Sequence, residues 1–130
     1  MSLGHSYTKK IYYHDTDCGG VVYYANYLKF LEEARTEMLL SRGISLRDLA
    51  LKGIGFAVAR VEIEYKSPAR YQDILTILTD ITMLRLSAIE FEHTIIKGEQ
   101  VIALAKVMVV LVGNDFRPMK IPEYIKSALV

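Results

Sequence analysis

One change of hydrophobic period constrains this chain more than any other feature. Over residues 24–39 the apolar side chains Tyr24, Tyr27, Leu28, Leu31, Ala34, Met38 and Leu39 recur at spacings of three and four, while Lys29, Glu32, Glu33, Thr36 and Glu37 fill the opposite face. That spacing predicts one amphipathic helix of roughly five turns, with Gly43 as a left-handed stop. Beyond it the period drops to two. Ala59, Val61, Ile63 and Tyr65 alternate with Arg60, Glu62, Glu64 and Lys66, which predicts a strand with one wet face. Residues 74–84, 88–97 and 101–112 follow as further strands, separated only by Arg-Leu-Ser and Gly-Glu-Gln. The last is apolar on both faces, so it belongs in the middle of a sheet. Strands joined by such short turns pair antiparallel, and the lone helix must lay its apolar stripe on the sheet they form.

The remaining segments complete the plan. Residues 6–13 are rich in aromatic and β-branched side chains and read as a first strand. Ser45 with Asp48 three residues later starts a short second helix, and Pro122 falls near the first turn of a short C-terminal one. The expected class is α+β: an antiparallel sheet of about five strands wrapped around one long central helix, the hot-dog architecture. Sheet edges and one sheet face stay undercovered in such a design, so at least a homodimer is expected. No linker, repeat or low-complexity tract interrupts residues 1–130, which read as one domain.

Composition excludes several function classes. Sixteen basic and 15 acidic residues leave a net charge of +1. No concentrated basic face is implied, and no nucleic-acid partner is expected. The longest apolar run, residues 107–112, is too short for membrane insertion, and the first ten residues hold no apolar leader core. A single cysteine excludes an internal disulfide and fits a reducing, cytoplasmic setting.

The chemistry concentrates in residues 14–27, HDTDCGGVVYYANY. Asp15 and Asp17 lie on the same side of an extended segment. Gly19 and Gly20 permit a tight turn and close approach of a ligand to the backbone. The helix starts next, and its first N–H groups lack internal partners. Those groups and the positive end of the helix dipole form a site for an oxyanion or a polarised carbonyl. A carboxylate just upstream could attack that carbonyl or activate a water beside it. Turn and capping roles explain the same two acids, and the residues alone leave both readings open.

The run YYHDTDCGGVVYYANYLKFLEEARTEML resembles the signature of the 4-hydroxybenzoyl-CoA thioesterase-like hot-dog family, and within it the Tol-Pal-associated acyl-CoA thioesterase branch. The similarity continues through FAVARVEIEYKSPARYQDIL, and the order of elements agrees to the C-terminus. Tyr24 stands where that branch usually has His, and His14 where it commonly has an acid. The resemblance implies hydrolysis of a small or medium acyl-CoA, with CoA as part of the substrate and no separate cofactor. It places the catalytic acid, nucleophile or general base, on Asp17, and the carbonyl-polarising backbone N–H on Tyr24. The turn through Gly20 and Val22 would assist, and Asp15 would shape the turn. The resemblance also implies a homotetramer, a dimer of dimers.

Binding CoA phosphates requires local positive charge. Ser67 and Arg70 lie in one loop and Arg85 in the next connection, Arg85 matching a basic position of the hydroxybenzoyl-CoA branch. Tyr23 and Tyr27 are expected to line the pocket as well as pack. Other groups fit worse. Cys18 and His14 span an extended turn with nothing to orient the imidazole, and His93 on the Ile89, Phe91, Ile95 face of a strand reads as a core or interface residue. Glu32 and Glu33 are explained by surface pairs with Arg35 and Lys29. The scattered His and Cys have no metal-ligand spacing, so no metal is expected. A non-catalytic acyl-CoA-binding or regulatory module on the same fold is the alternative of a different class. A dehydratase acting on acyl carrier protein substrates would need a flanking motif that His14 and His93 lack.

Overall fold

A computed structural model describes residues 4–130; residues 1–3, part of the stretch read as lacking a leader, lie outside it. The chain runs β1 (His5–Lys10), a 3₁₀ turn (Tyr13–Asp15), α1 (Asn26–Ser41), α2 (Leu46–Leu51), β2 (Gly55–Tyr65), β3 (Ile74–Leu84), β4 (Ala88–Lys97), β5 (Gln100–Val112) and α3 (Glu123–Leu129). The strands form one antiparallel sheet in the order β1-β3-β4-β5-β2. The fold is α+β, a hot-dog sheet with one long helix against it. β5 sits between β4 and β2, as its apolar faces require, and buries Ile102, Ala103, Ala105, Val107, Val109 and Leu111.

α1 buries Tyr27, Phe30, Leu31, Ala34, Arg35, Met38 and Leu39. Three details differ from the expected helix. It starts at Asn26 and not Tyr24, because the Asn26 N–H closes a turn onto the Tyr23 carbonyl at 2.8 Å. The buried stripe takes in Phe30 and leaves Leu28 exposed on its rim. Arg35, expected to pair with Glu32 at the surface, points inward instead. Glu33 bonds to the Tyr7 hydroxyl at 2.9 Å and pairs with Lys9 at 3.6 Å across the gap to β1. The helix ends as expected at Gly43, whose φ is +78°.

β1 stops at Lys10, short of the predicted residue 13. Ile11 still exchanges backbone bonds with Asp73 and Gln72, but the Tyr12 N–H is captured by the Asp15 carboxylate at 2.9 Å. β2 keeps its alternation apart from a bulge between Val58 and Arg60, yet its apolar face stays open: Val58, Val61 and Tyr65 are exposed. The reason is position. β2 is a sheet edge, whereas α1 packs toward β1 and β3. The Ser45 hydroxyl caps α2 by accepting from the Asp48 N–H, and α3 begins after Pro122 and buries Ile125 and Leu129. Among the described residues no helix is long and apolar enough to cross a membrane.

Candidate active site

The site begins with a tight loop. The Asp17 N–H donates to the Val21 carbonyl at 2.9 Å, and the Gly20 N–H returns to the Asp17 carbonyl at 3.1 Å. Gly20 has φ +80°, which a side chain would strain. A Cβ on Gly19 would stand 3.2 Å from Asp17 Oδ1, the oxygen that accepts the Gly19 N–H at 2.8 Å. The glycine pair thus lets the backbone fold onto Asp17 and fixes one carboxylate oxygen while the residue stays exposed.

Asp15 is the contrasting acid. It is 5% exposed; its Oδ2 accepts from the Tyr12 N–H, and its Oδ1 lies 3.4 Å from His14 Nδ1. Its carbonyl receives two further donors, the Tyr23 N–H at 3.1 Å and Asn26 Nδ2 at 2.9 Å. The acid-bearing loop is therefore tied to the entrance of α1 through the backbone of Asp15. Thr16 and Val22 bridge across the same loop.

The entrance of α1 is uncapped. Ala25 occupies the cap position with no side-chain acceptor, and Asn26, the first helical residue, donates its amide Nδ2–H back to the Asp15 carbonyl. Among the described residues the N–H groups of Tyr24 and Ala25 have no acceptor, so this helix start keeps open donors. Tyr24 is held from its other end, its carbonyl accepting from the Tyr65 hydroxyl at 3.0 Å. Gly20 and Val22 do not share the role expected of them. The Gly20 N–H serves the turn, and the Val22 N–H donates to Ala69 at 2.8 Å, so neither is a free oxyanion donor.

Tyr23 and Tyr24 form an exposed pair with ring centroids 4.9 Å apart. Tyr27, expected to line a pocket, is instead 3% exposed; its oxygen accepts from the Ala69 N–H at 3.2 Å and its ring packs on Phe30 and Tyr65. The hydrogen bond with Tyr24 pushes the Tyr23 phenol up, and burial raises those of Tyr27 and Tyr65. All three stay protonated at neutral pH, so none is a base there.

The basic candidates divide by topology. Val21 bridges to Arg70, which places the Arg70 backbone against the Asp17 loop. Ser67 lies in the same connection, its Oγ accepting from Gln100 at 3.2 Å. Lys97, not singled out from the sequence, joins this end through a 2.8 Å ion pair with Asp73. Burial raises the Asp73 carboxyl, but Lys97 and the Arg70 N–H outweigh it and hold the group low. Arg85 sits beyond the far end of the 11-residue β3, about 35 Å away along the strand. The structure does not bring it to the Asp17 loop within one chain.

Asn26 and Tyr65 were missed as positioning residues. The Asn-Tyr pair at the end of the motif was visible, but its partner, a carbonyl eleven positions upstream, was not. Neither of two cavities, of about 430 and 260 Å³, is lined by Asp17. Within one chain the acid and the open helix start lie at the surface.

The chain matches the thioesterase-like superfamily over residues 12–129. The acyl-CoA thioester hydrolase YbgC of Escherichia coli O6:H1 is 40% identical over 118 residues, which cover 89% of this chain and 88% of that one. The acyl-CoA thioesterase YbgC of Haemophilus influenzae is 33% identical over 130 residues, 98% of this chain and 96% of its own. The structure of a gentisyl-coenzyme A thioesterase superposes with a TM-score of 0.91 at 30% identity, covering 97% of this chain and 100% of that one. Fold, motif and relatives agree: the chain belongs to the thioesterase-like superfamily.

Proposed function

We propose that this protein is an acyl-CoA thioesterase in which Asp17 and the open N–H of Tyr24 act on opposite sides of the thioester carbonyl. The observation that carries the reading is the uncapped start of α1, bound through Asn26 and Tyr23 to the loop that presents Asp17. The Tyr24 N–H takes the carbonyl oxygen as it becomes an oxyanion, where a positioned donor is worth about 10²–10³ in rate. Asp17 either takes a proton from water as the oxygen bonds to the carbonyl carbon, or attacks that carbon itself and forms an anhydride that water opens. In both routes the C–S bond breaks, the electron pair leaves with sulfur, and the products are the free acid and the CoA thiol.

The surface position of Asp17 implies that a second copy completes the site. β2 presents an unpaired edge with Val58, Val61 and Tyr65 exposed, the kind of edge that a partner strand covers. A homodimer formed there, and a dimer of dimers beyond it, would close a pocket over the helix start. Ser67 and Arg70 would meet the CoA portion from the same chain, while Arg85 would reach it only from another copy. A cytoplasmic setting fits such a substrate. The relatives act on acyl-CoA and gentisyl-CoA, so both aliphatic and aromatic acyl groups belong in the trial.

Thiol release measured over a chain-length series of acyl-CoAs, with an aromatic member, tests this reading. Turnover of part of the series supports it. Tight binding without release of thiol would favour the non-catalytic module, for which the exposure of Asp17 is the specific argument.

A further inference from the structure

α1 carries a buried cation that the mechanism above does not use. Arg35 is 8% exposed, with Nη1 3.4 Å from His93 Nε2. A guanidinium can only donate, so Nε2 accepts, and the ring proton lies on Nδ1, which donates to Thr79 Oγ1 at 2.9 Å. His93, 2% exposed, is thereby a neutral relay and supplies no counter-charge. Phe91 offers its ring face, with Cζ of Arg35 5.9 Å from the centroid. Glu32, one turn earlier and exposed, acts on Arg35 only through space. Among the described residues no carboxylate forms an ion pair with it. A buried charge left this way is costly unless something supplies the missing partner.

Arg35 does not sit in solid core. It lines the cavity of about 260 Å³ between α1 and strands β2, β4 and β5, where Phe56, Val58, Phe91 and Val109 form an apolar wall and Glu32 and Thr36 join Arg35 on the helix side. Val58, part of that wall, is 52% exposed on the edge strand. Arg35 lies nine positions after Asn26, about 13 Å along the helix axis. At about 30 Å³ for each water-sized volume, the space holds roughly eight or nine heavy atoms. A mostly apolar lining with one buried cation matches an acyl chain that is apolar along its length and anionic at its tip, the one acid of the lining, Glu32, being exposed.

We propose that this cavity receives the far end of the acyl group and that Arg35 selects chains ending in a carboxylate, so that the substrate class is the CoA monothioester of a medium-length dicarboxylic acid. This rests on the thioesterase reading, and its test separates the two. The first arm compares kcat/KM for suberoyl-CoA and octanoyl-CoA, equal in chain length and differing in the terminal carboxylate. The unaltered protein should favour suberoyl-CoA by about ten- to a hundredfold, as charge-assisted hydrogen bonds do. Arg35→Met should bring the ratio to about one, and Arg35→Lys should keep part of the preference. The second arm needs no turnover: calorimetric binding of free suberate and free octanoate to the unaltered protein and to Arg35→Met. Suberate binding that depends on Arg35, without hydrolysis of either thioester, would support the carboxylate site and refute the thioesterase reading. Equal use of the two thioesters by the unaltered protein would overturn the proposal, and so would suberate binding that survives Arg35→Met. If Arg35→Met splits the oligomer and leaves the substrate ratio unchanged, Arg35 serves a carboxylate of a second copy and the proposal falls.

Discussion

Replacing Asp15 with alanine separates the two acids of the motif. Asp15 is buried, and its carboxylate holds the Tyr12 N–H where the chain leaves β1. A hydrogen bond to a charged group contributes about 1.5–3 kcal/mol, so removing this one and its cap should cost about 2 kcal/mol. For a chain of 130 residues the entropy of unfolding is about 0.27 kcal/mol per kelvin, which turns that cost into a fall in Tm of about 7 °C. Thermal unfolding followed by circular dichroism, with thiol release measured well below the midpoint, reads both quantities. Asp15→Ala should melt earlier yet keep turnover, reduced far less than in Asp17→Asn. The Asp17 change should leave Tm almost unmoved, because asparagine retains the oxygen that accepts the Gly19 N–H. An Asp15→Ala protein with native Tm and abolished turnover would show that Asp15 is the chemical acid.

Three further outcomes are expected. Tyr24→Phe should keep thiol release within a few-fold of the parent protein, because the proposed donor is backbone; a loss as deep as that of Asp17→Asn would assign chemistry to the hydroxyl. Tyr27→Phe leaves the buried Ala69 N–H without its acceptor, and a urea melt should show a loss of about 1–2 kcal/mol; an unchanged melt would refute the anchoring role. Burial first, then Arg35, push the His93 imidazole down to about 3 from 6.5. Between those values the unfolded chain binds a proton that the folded one refuses. Stability is therefore full above pH 6.5 and is lost as pH falls toward 3, by up to about 1.4 kcal/mol per pH unit. Unfolding free energies across that window should fall more steeply than in His93→Gln, and equal slopes would contradict the assignment.

The legible parts of this fold were those governed by local pattern. β3 and β4 match their predicted residues to the end, and β5 to within one, because alternation and short turns leave little choice of register. The Ser45 cap and the Gly43 stop were readable for the same reason. What was hidden depends on contacts between distant segments. Asp15 and Asp17 look alike as letters; only the return of the chain to Tyr12 buries one and leaves the other exposed. Gly20 and Val22 were plausible donors until the loop and Ala69 took their N–H groups. Arg70 and Arg85 seemed equivalent until the length of β3 set them apart. Arg35 did carry a signal: it falls four residues after Leu31 and three before Met38, on the apolar stripe. A charge on that stripe marks a buried cation more readily than a surface pair.

Release of CoA by the Asp17→Asn protein, followed in a single turnover at saturating enzyme beside a direct measurement of acyl-CoA binding, bears most directly on the central claim. Binding should persist while the rate of C–S cleavage falls by at least about a hundredfold. Cleavage at the parent rate would contradict it, since no carboxylate would then stand opposite the open helix amide.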